Sequence, residues 1–113
     1  MTPEELIYSL LKSFCDGRVT PIQAVQAGAF PYITYQRIST APITELKGDT
    51  GAGFVRMQID IVGSTYEQIR PLARLVRAAC KDDMNIQNQL DQSEPERDIY
   101  RIIQDYTIFE EGF

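Results

Sequence analysis

Glu94, Glu96 and Asp98 are three carboxylates at alternate positions, the densest group of potential ligands in the chain. Hard cations bind such oxygens. A calcium loop of the EF-hand type, however, needs ligands at fixed positions and a closing Glu, and Pro95 and Arg97 interrupt that pattern. A solvated acidic loop is the expectation. Gly48-Asp49-Thr50-Gly51-Ala52-Gly53 suggests two other chemistries. As a phosphate cradle it lacks the Lys-Ser/Thr ending of a P-loop and precedes a strand instead of a helix. As an aspartic-protease triplet, Asp49-Thr50-Gly51 would need a second such Asp to share its proton, in a largely β fold.

No His occurs among the 113 residues. That excludes Ser-His-Asp and Cys-His nucleophiles and the common His-containing zinc sites. Cys15 and Cys80 have no CxxC spacing and are too few for a four-ligand metal site. They read as reduced, partly buried thiols. No catalytic, cofactor-binding or metal-ligating residue is assigned, and an enzyme built on Asp49 or on the acidic group is the weakest reading.

Charge is more informative than any catalytic motif. The chain carries 11 Lys and Arg against 16 Asp and Glu, a formal charge of −5. An acidic balance speaks against a general binder of nucleic acid or anionic membrane. The distribution is uneven. Residues 54–81 hold five basic and two acidic groups, whereas residues 82–113 hold two basic and nine acidic ones. The basic part includes the row Arg70, Arg74, Arg77 and Lys81. Such a pair of complementary segments suits head-to-tail association, in which one surface meets a different surface of the next copy.

The elements that must position these groups follow from patterning. Thr2 as N-cap, Pro3 at the first helical position and Glu5 completing a capping box start a helix. Ile7, Leu10, Leu11 and Phe14 form its apolar face, and Asp16-Gly17 stops it. Residues 18–30 read as a loop with one extended stretch. Residues 32–39 are β-branched and aromatic and read as a strand, and residues 40–53, with Pro42 and several glycines, read as a long connection. Val55, Met57, Ile59 and Ile61 alternate with Arg56, Gln58 and Asp60, which gives one face to a core and the other to water or a partner.

Ser64 and Glu67 offer a second capping box, followed by the stripe Ile69, Leu72, Ala73, Val76 and Cys80. Pro71 within that helix predicts a kink. Residues 84–91 read as a polar strand and residues 92–97 as a turn. The last strand, 99–109, is apolar on both sides: Tyr100, Ile102, Tyr106 and Ile108 on one, Ile99, Ile103 and Phe109 on the other. It is therefore central in the sheet or covered by another copy. The order α-β-β-α-β-β predicts a single α+β domain over 1–113, with two helices on one face of a four-stranded antiparallel sheet. No run is long and apolar enough to span a bilayer. The acidic start, Met1-Thr2-Pro3-Glu4-Glu5, predicts no export by a basic leader.

Several stretches, in their order, resemble the tail completion or tail terminator proteins of long-tailed phages. They are Pro31-Tyr32-Ile33-Thr34-Tyr35-Gln36 with Ile38-Ser39-Thr40, then Gly48-Asp49-Thr50-Gly51, then Val55-Arg56-Met57-Gln58-Ile59-Asp60. Thr65-Tyr66, the Arg/Ala/Leu helix, and Tyr100-Arg101 with Gln104-Asp105-Tyr106-Thr107-Ile108 follow. Pro71 and the polar stretch 84–93 depart from the family's pattern. The resemblance implies a non-catalytic virion protein, without cofactors, that is assembled in the host cytoplasm. It implies a ring, commonly a hexamer, that caps the tail tube protein and meets the head connector protein, with DNA only passing through. On that reading Arg70, Arg74, Arg77, Lys81, Ile99, Ile103 and Phe109 are candidate contacts between subunits. Glu45, Lys47, Asp49 and Thr50 form a candidate tail or head contact loop, and Asp91, Glu94, Glu96 and Asp98 are candidate channel-lining acids. The alternative is a small α+β regulatory or ligand-binding domain that dimerises.

Overall fold

Val55, Met57, Ile59 and Ile61 are fully buried, and the strand they predict organises the molecule. The computed structural model describes residues 2–21, 29–45 and 48–111. The central strand, β3 (Gly48–Gly63), pairs antiparallel with β2 (Tyr32–Glu45) on one side and with β5 (Ile99–Glu111) on the other. β4 (Asn85–Glu94) lies antiparallel against β5 at one edge, and β1 (Val19–Pro21) lies parallel to β2 at the opposite edge. The strand order is β1-β2-β3-β5-β4.

The sheet is thus five-stranded and mixed, not four-stranded and antiparallel as expected. The addition is β1, whose three residues are too few to show a period of two. It is held by burial of Val19 and by backbone geometry: the Ile33 N–H donates to the Arg18 carbonyl at 2.9 Å. The Arg18 Nε also donates to the Pro31 carbonyl at 3.0 Å.

The expected long connection over residues 40–53 is also replaced. β2 and β3 continue through it as a hairpin, with Thr44 opposite Asp49 and Glu45 opposite Gly48. Register irregularities between Arg37 and Ser39 and between Pro42 and Thr44 let a proline sit in the ladder, which a regular central pairing would resist.

Helix α1 (Pro3–Leu11) starts with the predicted capping box, Thr2 Oγ accepting from the Glu5 N–H at 3.1 Å and Glu5 Oε1 accepting from the Thr2 N–H at 3.1 Å. Helix α2 (Tyr66–Cys80) is capped one residue later than expected. Thr65 Oγ accepts from the Gln68 N–H, and Gln68 Oε1 in turn accepts from the Ser64 N–H. Any bend at Pro71 leaves α2 unbroken, and the ring faces solvent.

Both helices lie on one face. Ile7 and Leu11 of α1 and Ile69, Ala73, Val76 and Cys80 of α2 bury against Ile33, Tyr35, Ile102, Tyr106 and the β3 quartet. Gly63 makes the β3–α2 corner possible, because a Cβ there would overlap Ile69 and lie 2.6 Å from Gln68 Oε1. Arg37 ties the layers together at one end, with Nη2 2.9 Å from both Glu4 Oε1 of α1 and Glu110 Oε2 of β5.

The two apolar sides of β5 now have separate explanations. Tyr100, Ile102, Tyr106 and Ile108 face the helices. β5 is central, between β3 and β4, which was one of the two expected reasons for its second apolar side. That second side belongs to a sheet face on which none of the described helices packs. No helix is long and apolar enough to cross a membrane among the described residues.

Candidate functional site

The helical spacing of Arg70, Arg74, Arg77 and Lys81 places all four on the outer side of α2, and all are exposed. Arg70 is held over the Tyr66 ring, its guanidinium carbon 5.1 Å from the ring centroid. Tyr66 meets Tyr100 edge to face at 4.9 Å. Among the described residues none of the four cations forms an ion pair. Arg74, Arg77 and Lys81 rim a cleft of about 490 Å³ between the end of α2 and the start of β4, whose apolar lining includes Met84, Ile86 and Tyr106.

A buried polar chain makes one wall of this cleft rigid. The Tyr106 hydroxyl donates to Gln104 Oε1 at 2.7 Å. Gln104 Nε2 donates to the Ala73 carbonyl at 3.1 Å and to Gln89 Oε1 at 2.9 Å, so one fully buried amide joins β5, α2 and β4. Burial pushes the Tyr106 phenol far above its ordinary range, which keeps it a neutral donor. Burial, with a smaller effect of Asp83, pushes the Cys80 thiol up to about 12. Burial raises Cys15 as well. Neither thiol is prepared as a nucleophile.

The open face of the sheet has a different chemistry. Arg56 Nη2 lies 3.2 Å from Asp105 Oδ2, and Arg101 lies 3.8 Å from both Asp60 and Glu94. Gln58 Nε2 donates to Asp60 Oδ1 at 2.9 Å. Asp60 and Asp105 are buried although no helix covers them. Desolvation raises the Asp60 pKa, opposed by the Gln58 hydrogen bond and Arg101 and assisted by Asp105. Apolar side chains flank these charges. Phe54 and Phe109 pack edge to face at 5.8 Å while staying 52% and 49% exposed, and Leu90, opposite Ile103, is 50% exposed.

The expected contact residues therefore fall into two groups on opposite sides of the molecule. Arg70, Arg74, Arg77 and Lys81 are on the helix layer, and Ile99, Ile103 and Phe109 are on the open sheet face. The four expected channel acids are not one row either. Asp91 faces the helix side, where it shares a groove with Arg70, Arg74 and Arg77. Glu94 is taken up by Arg97 at 3.3 Å and Arg101 at 3.8 Å. Glu96 and Asp98 stand exposed in and just after the 3₁₀ turn Pro95–Arg97, with Asp98 in the left-handed region at φ 51°. In the expected contact loop, Lys47 lies outside the described residues. The side chains of Glu45, Asp49 and Thr50 do too, and their backbones belong to the β2–β3 hairpin.

Sequence reasoning missed Asp60, Asp105 and Phe54 as members of a surface network. Their signal was the polar alternation of β3, which marks a face without saying what it meets. Gln104 gave no signal at all. No group of three or more Cys, Asp or Glu arranged to hold a metal occurs among the described residues.

A family model described as Tail completion protein gp17 matches residues 9–111. Among solved structures, a chain of the Virion of native gene transfer agent (GTA) particle aligns with a TM-score of 0.70 at 15% identity, covering 97% of this chain and 95% of that one. At that identity the likeness is one of fold. No curated protein matches the chain significantly.

Proposed function

The chain belongs to the tail completion protein gp17 family and is a structural protein of a phage-type tail and its virion; from that premise we propose that it works as a ring of identical subunits. The ring caps the tail tube, stops its growth and presents its other surface to the head connector, with DNA passing through the centre. A hexamer is the expected size. No catalytic step is part of this reading.

The observation that carries it is the presence of two unlike, unsatisfied surfaces on opposite sides of one small subunit. One is a row of cations on α2 that form no ion pair among the described residues, and the other is a sheet face with exposed Phe54, Phe109 and Leu90 around the pairs Arg56–Asp105 and Arg101–Asp60. A symmetric dimer uses one surface twice. Two different surfaces favour heterologous contacts, which close into a ring when the rotation permits. A net charge of −5 keeps the subunit from adhering to the DNA that must slide past.

Light scattering on the purified chain tests this. A single closed species of several subunits is expected, favoured by higher protein concentration. A dimer as the largest species would favour the regulatory-domain reading instead.

A further inference from the structure

We propose that the cleft beneath Arg74, Arg77 and Lys81 is a socket for the acidic β4–β5 turn of a neighbouring copy, whose Glu96 and Asp98 supply the missing counter-charges. This rests on the ring reading and specifies one of its contacts.

The socket has the composition such a plug requires. Three cations stand at its rim without an ion pair among the described residues, over a floor that includes Met84, Ile86 and Tyr106. The turn is complementary. Glu96 and Asp98 are exposed and carry no ion pair among the described residues, whereas the neighbouring Glu94 is already paired to Arg97 and Arg101. Pro95 gives the tip an exposed apolar ring and a fixed backbone angle, which lowers the entropy lost on docking. Asp98 occupies the left-handed region, which an Asp adopts more readily than most residues, and it places a carboxylate at the tip.

Geometry forbids the two from meeting within one chain. The socket lies at the Asn85 end of β4 and the tip follows Glu94 at its other end. Ten residues of strand separate them by about 30 Å. A contact made this way joins unlike parts of two copies: in the ring it runs head-to-tail, whereas a two-fold dimer would make it reciprocally and stop at two. The same β4 strand supplies a wall of the socket and the base of the plug.

The test is a charge swap read by light scattering and analytical ultracentrifugation, with circular dichroism as a check on folding. The variants are Arg74→Glu with Arg77→Glu, Glu96→Arg with Asp98→Arg, and all four together. Either pair alone should weaken association about 100-fold, roughly tenfold for each reversed charge, with the circular dichroism spectrum of the folded subunit unchanged. The fourfold variant should regain at least a tenth of the wild-type association constant. With Cys15→Ser removing the partly exposed native thiol and Cys80 buried, Asn85→Cys with Glu96→Cys should give a ladder of disulfide-linked oligomers, whereas a linked dimer as the largest species would overturn the head-to-tail contact.

If socket reversal weakens association but tip reversal does not, the plug is not this turn and the proposal falls. If neither pair alters a wild-type oligomer, the contact is wrong and the ring reading survives. If socket reversal abolishes tail joining while the oligomer stays intact, the cleft serves another partner and the proposal again falls. A wild-type chain that remains monomeric at high concentration would overturn the ring reading together with this contact.

Discussion

The two faces of the central sheet solve opposite problems with the same two strands, β3 and β5. On the helix side, Val55, Met57, Ile59, Ile61, Ile102 and Tyr106 are essentially inaccessible, and the one amide among them, Gln104, is fully hydrogen-bonded. On the open side, Arg56, Asp60, Arg101 and Asp105 pair with one another among half-exposed aromatics. The first face is finished within the subunit. The second holds buried Asp60 and Asp105 in ion pairs while leaving Phe54, Phe109 and Leu90 half-exposed, a preorganisation that lowers the cost of covering those apolar groups. On the proposed ring, stability and assembly rest on different faces, and substitutions on the two faces should separate them.

The largest stability effect belongs to the covered face. Ile59→Ala should lower unfolding stability by about 2–5 kcal/mol, read by chemical denaturation, because it removes three buried carbons and leaves a cavity against the helices. A loss no greater than that of a surface substitution would erase the distinction between the faces. On the open side, Phe54→Ser with Phe109→Ser should change subunit stability by less, about 1 kcal/mol. The same pair should nevertheless impair association or tail joining strongly. Equal loss of stability and association would mean that the open face is simply part of the fold.

Asp60→Asn is the finest probe. Desolvation raises the folded-state pKa of Asp60, so the folded chain holds that proton more tightly than the unfolded one. Its contribution to stability is fully present below the unfolded pKa and is lost as pH rises through the raised folded value. The amide has no charge to desolvate. The variant should therefore melt slightly higher than wild type at neutral pH and show no such gain in acid, where the carboxyl is already protonated. A lower melting temperature at neutral pH would show that the Arg101 pairing outweighs the desolvation.

Much of this division was legible beforehand, and the exceptions have physical causes. The alternation over 55–61 and the Thr2–Glu5 capping box specify β3 and α1 directly, because period and cap chemistry act locally. The start of α2 was displaced by one residue, since Ser64 and Thr65 are both competent caps and Glu67 and Gln68 both competent partners. β1 is legible only as an extended stretch within 18–30, because the pairing of its three residues is defined by Ile33 and Pro31 far along the chain. The segment 40–53 reads as a long connection because Pro42 and its glycines are loop formers in isolation, yet the ladder absorbs them at irregular positions. Helical spacing alone places the basic row on the exposed side of α2. What spacing could not supply was distance between surfaces: that Asp91 lies beside that row, whereas Glu96 and Asp98 stand at the far end of β4.

The most direct test of the central claim is electron microscopy of tails assembled without this protein and then supplied with it. The account predicts a ring of copies at one end of each tail, a fixed tail length thereafter and restored joining to heads. Protein that stays off the tails, or binds along them without forming a terminal ring, would contradict it.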